Sequence, residues 1–474
     1  MLKTVAKTFF FYDLETSGLN PRTDRIMQFA GQRTGMDLNP IGEPVNLLVK
    51  LNDDTLPSPD AIMVTGITPQ KTLEDGYSEA EFSKILINDI FTTDTITVGF
   101  NNIRFDDEFI RYLLWRNFYD PYEWAWKDGR SRWDMLDIVR MTRALRPEGI
   151  EWPVNDQGEP ANRLELITKQ NGIVHESAHD AMSDVEALID VTKMIRTRQP
   201  QLFDYLLKMR EKKEIQKIIN LDDKKPFVYT SGRYDGEFAK TTVALPIAPA
   251  PNSNVLVYDL RYDPSGLFDL SVEELRQGLF ASWEERQQDS FQTIPVKQLQ
   301  YNRAPAIAPL GVLEKEDAWN RIGLTSKLVQ ANFDKLMSRP DFGEKLRTAF
   351  EERPEFEKLD DPEALLYDNF LGDRDRLRVE VIRNSTGAEL IDLHPGFQDE
   401  RLPGLLLHYK ARNFSESLAE DEVTAWEQWR SARITSDLPG FYSRLAELAK
   451  TDDRDKQFIL QELQLWAELI APED

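Results

Sequence analysis

Apolar positions in the first two hundred residues switch between two periods. Solid runs at Thr8-Phe9-Phe10-Phe11-Tyr12 and Thr95-Ile96-Thr97-Val98-Gly99-Phe100 predict buried strands, and residues 25–33 and 45–51 read as their partners. Phe109, Ile110, Leu113 and Leu114 then repeat at helical spacing, as do Ala181, Met182, Val185, Leu188, Ile189, Thr192 and Ile195. This alternation predicts an α/β domain over 8–199. It ends at Thr197-Arg198-Gln199-Pro200, because proline disfavours helical geometry in the residue before it.

The pattern then changes. Short strand-like runs at 227–229, 241–245 and 255–260, separated by Gly, Pro and Asn, predict a small β-rich module with helices over 200–355. From 356 to 474 the chain is charged and helical, with amphipathic stretches at 422–433 and 441–470, which predicts an all-α domain. With no internal repeat, Gly/Ser linker or low-complexity tract, the three domains of this multidomain α/β chain are expected to pack together.

Composition narrows the chemistry. The 474 residues contain no cysteine, which excludes disulfides, thiolate metal sites and cysteine nucleophiles, and fits a reducing compartment. Any metal must be held by oxygen or imidazole. There is no signal-peptide-like start and no run of about 18 apolar residues, so the expectation is a soluble cytoplasmic protein with no membrane partner. A net charge of −24 argues against a nucleic-acid partner as a whole-chain sum. Residues 193–225, however, carry ten Lys or Arg against five acids, either a solvated helix surface or a basic face on an acidic body.

Three short motifs carry candidate chemistry. Asp13-Leu14-Glu15 closes the first strand, and alternation sends both carboxylates to one face. A surface strand end gives the same triplet by chance. Asp106, in Asn101-Asn102-Ile103-Arg104-Phe105-Asp106, stands at a strand-to-helix junction, where open α/β sheets place their sites; the alternative is a helix cap. His179-Asp180-Ala181-Met182-Ser183-Asp184 opens a long helix. On an ideal helix His179 and Asp184 would be about 140° apart. They can converge if His179 precedes the helix, Asp180 caps it and Asp184 points inward from the first turn.

In this order Asp13, Glu15, Asp106, His179 and Asp184 resemble the signature of the DEDDh superfamily of 3′ to 5′ exonucleases. The likeness narrows to bacterial exonuclease I through Thr65-Gly66-Ile67-Thr68-Pro69-Gln70, residues 101–108, Arg116-Asn117-Phe118-Tyr119-Asp120-Pro121-Tyr122, residues 144–150, 178–184 and 197–206, and Tyr409-Lys410-Ala411-Arg412-Asn413-Phe414. One departure is that family members can carry aromatics where Leu14 and Ser17 stand, which bears on how the terminal base is packed.

The resemblance implies an RNase H-like exonuclease domain, an SH3-like β-rich module and a helical C-terminal domain. It implies that Asp13, Glu15, Asp106 and Asp184 hold two Mg²⁺ ions, with Mn²⁺ as substitute, and that His179 is the general base. The activity implied is degradation of single-stranded DNA to 5′-mononucleotides in DNA repair and recombination. Tyr122 and Trp126 would stack on bases, Glu15 and Arg163 would contact the substrate near the cleaved phosphate, and Arg111 and Arg140 are further candidates. Tyr119, Tyr122, Trp124 and Trp126 interleave with Arg111, Arg116, Lys127, Arg130 and Arg132 as a strand-binding surface would, although core packing also explains aromatics at this density. The implied protein partner is single-stranded-DNA-binding protein, whose acidic tail the basic stretch 193–225 of this chain could meet, and the expected state is a monomer. Competing readings are an RNA-trimming or proofreading exonuclease, a binding protein that lost hydrolysis, and an interaction scaffold.

Overall fold

The computed structural model describes residues 6–175, 180–288, 291–315, 317–353 and 359–472. The chain forms two compact units, one of 1–131, 175–188 and 358–474, the other of 132–174 and 189–357.

The first unit is built on strands β1 (Thr8–Thr16), β2 (Ile26–Thr34), β3 (Val45–Leu48) and β4 (Thr95–Gly99), in the order β3-β2-β1-β4. β1 runs antiparallel to β2 and parallel to β4. Phe9, Phe10, Phe11 and Tyr12 are all buried, as a central strand covered on both faces requires. β1 outlasts the expected run because its ladder continues through Asp13↔Ala30 and Glu15↔Gln28, and slips only between Glu15 and Thr16. The two acids therefore sit on rigid strand.

One core packs Tyr12, Phe29 and Phe82 against Phe109, Ile110 and Leu113 of the helix Asp106–Arg116. A second joins Met27, Leu51 and Ile62 to Ile434, Phe441, Leu463 and Trp466 from the C-terminal helices. Each such side chain contributes about 1.5–3 kcal/mol by leaving water. Among the described residues, 359–472 form helices and turns only. Two amphipathic stretches were expected at 422–433 and 441–470. Instead Glu420–Leu448 runs through Pro439 as one helix, and the break falls before Arg454–Ile470, where Asp453 caps by accepting the amide N–H groups of Asp455 and Lys456.

β5 (Ser131–Asp134), not signalled by the sequence, begins where the chain leaves this unit. The second unit contains β6 (Phe227–Thr230), β7 (Thr241–Ala250), β8 (Asn254–Asp259), β9 (Val296–Leu299) and β10 (Ala306–Pro309), an antiparallel sheet ordered β10-β6-β7-β8-β9. The β7–β8 register shifts between Pro246 and Ala248, where proline cannot donate to the ladder. Phe227, Tyr229, Val255, Val257 and Leu299 close its core with Met209 and Ile215. Among the described residues no helix is long and apolar enough to cross a membrane.

Candidate active site

The site grows from the end of β1. Leu14 is buried while Asp13 and Glu15, on either side of it, are half-buried on the opposite face. Beside them β4 ends at Gly99, where a Cβ would lie 2.5 Å from that of Asn102, so the turn closes tightly. Asn101 takes φ 70°, a left-handed conformation that asparagine tolerates. The helix then starts at Asp106. Its N-cap position is Phe105, so the capping alternative for Asp106 does not hold. Tyr12 Oη donates to Asp107 Oδ1 at 2.5 Å and Asn102 Nδ2 donates to the same oxygen at 3.2 Å, tying the helix start to β1.

The third element is the helix Ala181–Arg198. Asp180 Oδ1 accepts the Ser183 amide N–H at 3.0 Å, which is the expected cap, and Asp184 falls in the first turn. One carboxylate oxygen from each of Asp13, Glu15 and Asp184 lies within 4.8 Å of the others. His179, the expected base, lies outside the described residues. A histidine that sequence reasoning passed over, His175, places Nε2 2.6 Å from Asp184 Oδ1. The only sequence signal for it was its place four residues before His179 in a chain with four histidines.

Burial pushes the Asp13 carboxyl well above the usual range, with Asp106, Glu15 and Asp184 adding repulsion. Glu15 is pushed up to about 8, first by burial and then by Asp184, Asp106 and Asp180. Grouped anions of this kind are relieved by protons or by a cation. An all-oxygen donor set suits a hard divalent ion, so the residues present fit the metal that the sequence implies.

A second trio of ligand-type side chains, Asp361, Glu363 and His408, differs in kind. Glu363 Oε2 accepts from Arg25 at 2.9 Å, while Oε1 accepts from Arg412 and lies 2.8 Å from His408 Nδ1. Arg25 also reaches Asp54, at 3.2 Å, and Arg412 does so at 2.8 Å. Arginines fill this cluster, and it is an ion-pair network.

The candidate strand-binding residues divide. Trp126 is 63% exposed, an unpacked aromatic surface. Tyr122 is half-buried against Tyr367 and Phe370, with the Arg111 guanidinium 5.6 Å from its ring centroid. Arg111 is itself buried, pairing with Glu108 at 2.9 Å and donating to Tyr367 Oη at 3.1 Å. Trp124 is core, stacked on Phe91. Several basic residues interleaved there are already paired: Arg116 makes a buried pair with Glu79 at 2.7 Å, and at the surface Lys127 and Arg130 pair with Glu123 and Asp128. In the second unit, Arg140 pairs with Asp137 at 2.7 Å, whereas the Arg163 side chain is 78% exposed at the N-cap of the helix Leu164–Gln170.

Similarity to known proteins extends over nearly the whole chain. Family models match for an exonuclease over 10–192, an exonuclease I SH3-like domain over 210–352 and an exonuclease I C-terminal domain over 360–470. The chain is 40% identical over 460 residues to exodeoxyribonuclease I of Haemophilus influenzae, covering 96% of this chain and 97% of that one. It is 40% identical over 470 residues to that of Escherichia coli strain K12, covering 98% of each. Among solved structures, a zinc-ion-bound complex of E. coli exonuclease I with single-stranded DNA superposes with a TM-score of 0.93 at 37% identity, covering 98% of this chain and 100% of that one. An SSB/exonuclease I structure with the inhibitor CFAM gives 0.91 at 37% identity with the same coverage.

Proposed function

The chain belongs to the exonuclease I family, and from that premise we propose that it hydrolyses single-stranded DNA in the 3′ to 5′ direction in a divalent-metal-dependent reaction. The observation that carries the reading is the convergence of Asp13, Glu15 and Asp184, whose oxygens group within 4.8 Å beside Asp106 on rigid elements. The E. coli complex with zinc and single-stranded DNA supports both the metal requirement and the substrate. We divide the chain into an exonuclease domain over 8–199, an SH3-like domain over 200–355 and a helical domain over 356–474, a division supported by family-model matches at 10–192, 210–352 and 360–470.

In this reading Asp13, Glu15, Asp106 and Asp184 hold two Mg²⁺ ions. When bound, such ions offset charge on the scissile phosphate and make hydroxide available near neutral pH. His179 takes the proton from the attacking water, for which an unperturbed pKa of about 6.5 is suited. The water oxygen bonds to phosphorus, the bond to the 3′ oxygen of the preceding nucleotide breaks, that oxygen takes up a proton from solvent to become the new 3′-hydroxyl, and a 5′-mononucleotide leaves. Trp126 stacks on a base; Arg111 acts through Tyr122, whose ring it covers; Arg163 contacts the phosphate; and Arg140, already paired with Asp137, is a weaker contact.

The SSB/exonuclease I structure supports a single-stranded-DNA-binding protein as partner. Within the basic stretch 193–225, Lys193, Lys208, Arg210, Lys217 and Lys225 already pair with acids, so Arg198, Lys212, Lys213 and Lys224 are our candidates to meet an acidic tail. A cytoplasmic monomer acting in DNA repair completes the proposal.

The test is nucleotide release from 3′-labelled single-stranded DNA with Mg²⁺, comparing wild type with Asp184→Ala and with a duplex substrate. Release from single strands alone, abolished by Asp184→Ala, supports the reading. DNA binding without release under any divalent ion overturns it.

A further inference from the structure

The second unit holds a cavity of about 670 Å³ beside the β8–β9 edge of its sheet, within the usual size range for a small-ligand site. Arg233, Arg261, Arg286 and Lys297 line it, together with Tyr262, Phe280 and Phe350. This chain carries 82 acids against 58 Lys and Arg. None of these four cations forms a carboxylate ion pair among the described residues. Arg261 donates to the carbonyls of Thr241, Ile322 and Gly323, and Arg286 to those of Ala281 and Leu279. Lys297 donates to the Arg233 carbonyl and sits 3.7 Å from the centroid of the Tyr234 ring.

Two acids also line the cavity, but both are engaged locally. Asp259 Oδ1 accepts from Thr242 Oγ1 at 2.5 Å and from the Arg261 amide at 3.0 Å. Asp235 accepts the Glu237 amide at 3.0 Å. Burial pushes the Lys297 ammonium down to about 8, Asp259 opposes that shift, and Arg233, Lys240 and Arg286 add to it, so positive potential converges on this wall. Held cations without a carboxylate are poised for a ligand anion. Beside them Tyr262 is 43% exposed, and the Phe280 and Phe350 rings lie 5.4 Å apart, apolar faces on which a base can stack.

We propose that this cavity binds a nucleotide, its phosphate taken by Lys297, Arg286 and Arg233 and its base lying against Tyr262 and the Phe280–Phe350 pair. The ligand is either a free mononucleotide, the kind of product the reaction above releases, or one nucleotide unit of a strand. The nuclease reading suggests this ligand class, but the site needs none of the carboxylates of that centre.

The experiment titrates the full chain in EDTA, where hydrolysis is silent, with dTMP, with a six-nucleotide oligo-dT and with inorganic phosphate. It compares wild type, Arg233→Glu, an exposed position, and Tyr262→Ala. Saturable dTMP binding weakened at least tenfold by Arg233→Glu and severalfold by Tyr262→Ala supports a free-nucleotide site. The same losses with the oligonucleotide alone support a strand subsite. Phosphate binding as tightly as dTMP, absence of binding by both nucleotide probes, or equal affinity in all three proteins overturns the proposal. So does an acidic peptide whose binding falls in Arg233→Glu while nucleotide affinity is unchanged. Because Asp184→Ala reads the nuclease separately, each reading can fail while the other stands.

Discussion

His175 Nε2 lies 2.6 Å from Asp184 Oδ1, so a carboxylate of the acidic cluster is oriented by an imidazole from the segment preceding its own helix. Partners of this kind fix the direction of a ligand oxygen, and losing them typically costs ten- to a hundredfold in metal affinity. His175→Ala is expected to raise the Mg²⁺ concentration needed for half-maximal nuclease activity by about that factor. Saturating Mg²⁺ should restore most of the rate, and DNA affinity in EDTA should not move. A lower plateau with an unchanged Mg²⁺ midpoint would show that His175 does something other than position Asp184.

The acidic cluster also sets a pH dependence for the metal-free protein. Glu15 goes from a usual value of 4.5 to about 8 in the fold, so between those values the folded chain binds more protons than the unfolded one. Stability therefore falls as pH rises through this window, and Asp13, shifted the same way, adds to the fall. In EDTA the Tm should drop between pH 5 and pH 8. Mg²⁺ should raise it at pH 8 and do little at pH 5, where protons already neutralise the site. Glu15→Gln should flatten the profile in EDTA while removing activity.

How far the chain could be read in advance depended on whether the signal was local. The Phe9–Tyr12 run marks a central strand, and the Asp13/Glu15 alternation needs nothing beyond strand geometry. Asp180 as cap and Asp184 in the first turn follow from helix rules alone. What was not legible depends on partners distant in sequence. Arg116 looks like a basic residue flanking aromatics, but Glu79 takes it into the core. Arg111 looks available to phosphate until Glu108 and Tyr367 are seen to hold it. The cations around Lys297 come from strands and loops tens of residues apart, and no spacing announces them.

Trp126 tests the stacking surface with little risk to the fold. It is 63% exposed, whereas Trp124, two residues earlier, is 1% exposed and packed on Phe91. A base–aromatic stack is worth about 1–3 kcal/mol. Trp126→Ala should therefore weaken single-stranded DNA binding in EDTA roughly five- to a hundredfold with no change in Tm. Trp124→Ala should instead cost about 3–5 kcal/mol of stability, as a large buried aromatic does. Equal DNA affinity for wild type and Trp126→Ala would remove Trp126 from the binding surface.

The Arg25–Asp54–Glu363–Arg412 network is the counterpart of the acidic cluster, with the opposite sign. Its carboxylates are buried, yet Arg412 and Arg25 hold Glu363 well below the usual range and hold Asp54 down as well, although burial alone would raise both. These groups bind fewer protons folded than unfolded. Their contribution is complete above the unfolded values near 4 and is lost as pH falls through the folded ones. Removing one member of such a network leaves a buried charge uncompensated, at a cost of about 3–5 kcal/mol. Glu363→Ala should thus lower the urea midpoint sharply at pH 7, since Arg25 and Arg412 would be left facing each other across Asp54 alone. The paired change Glu363→Leu with Arg412→Met removes both charges and should cost much less than the two single changes summed. Additive losses would mean that the ion pairs act independently and that the network does not couple the β1–β2 loop to the C-terminal helices.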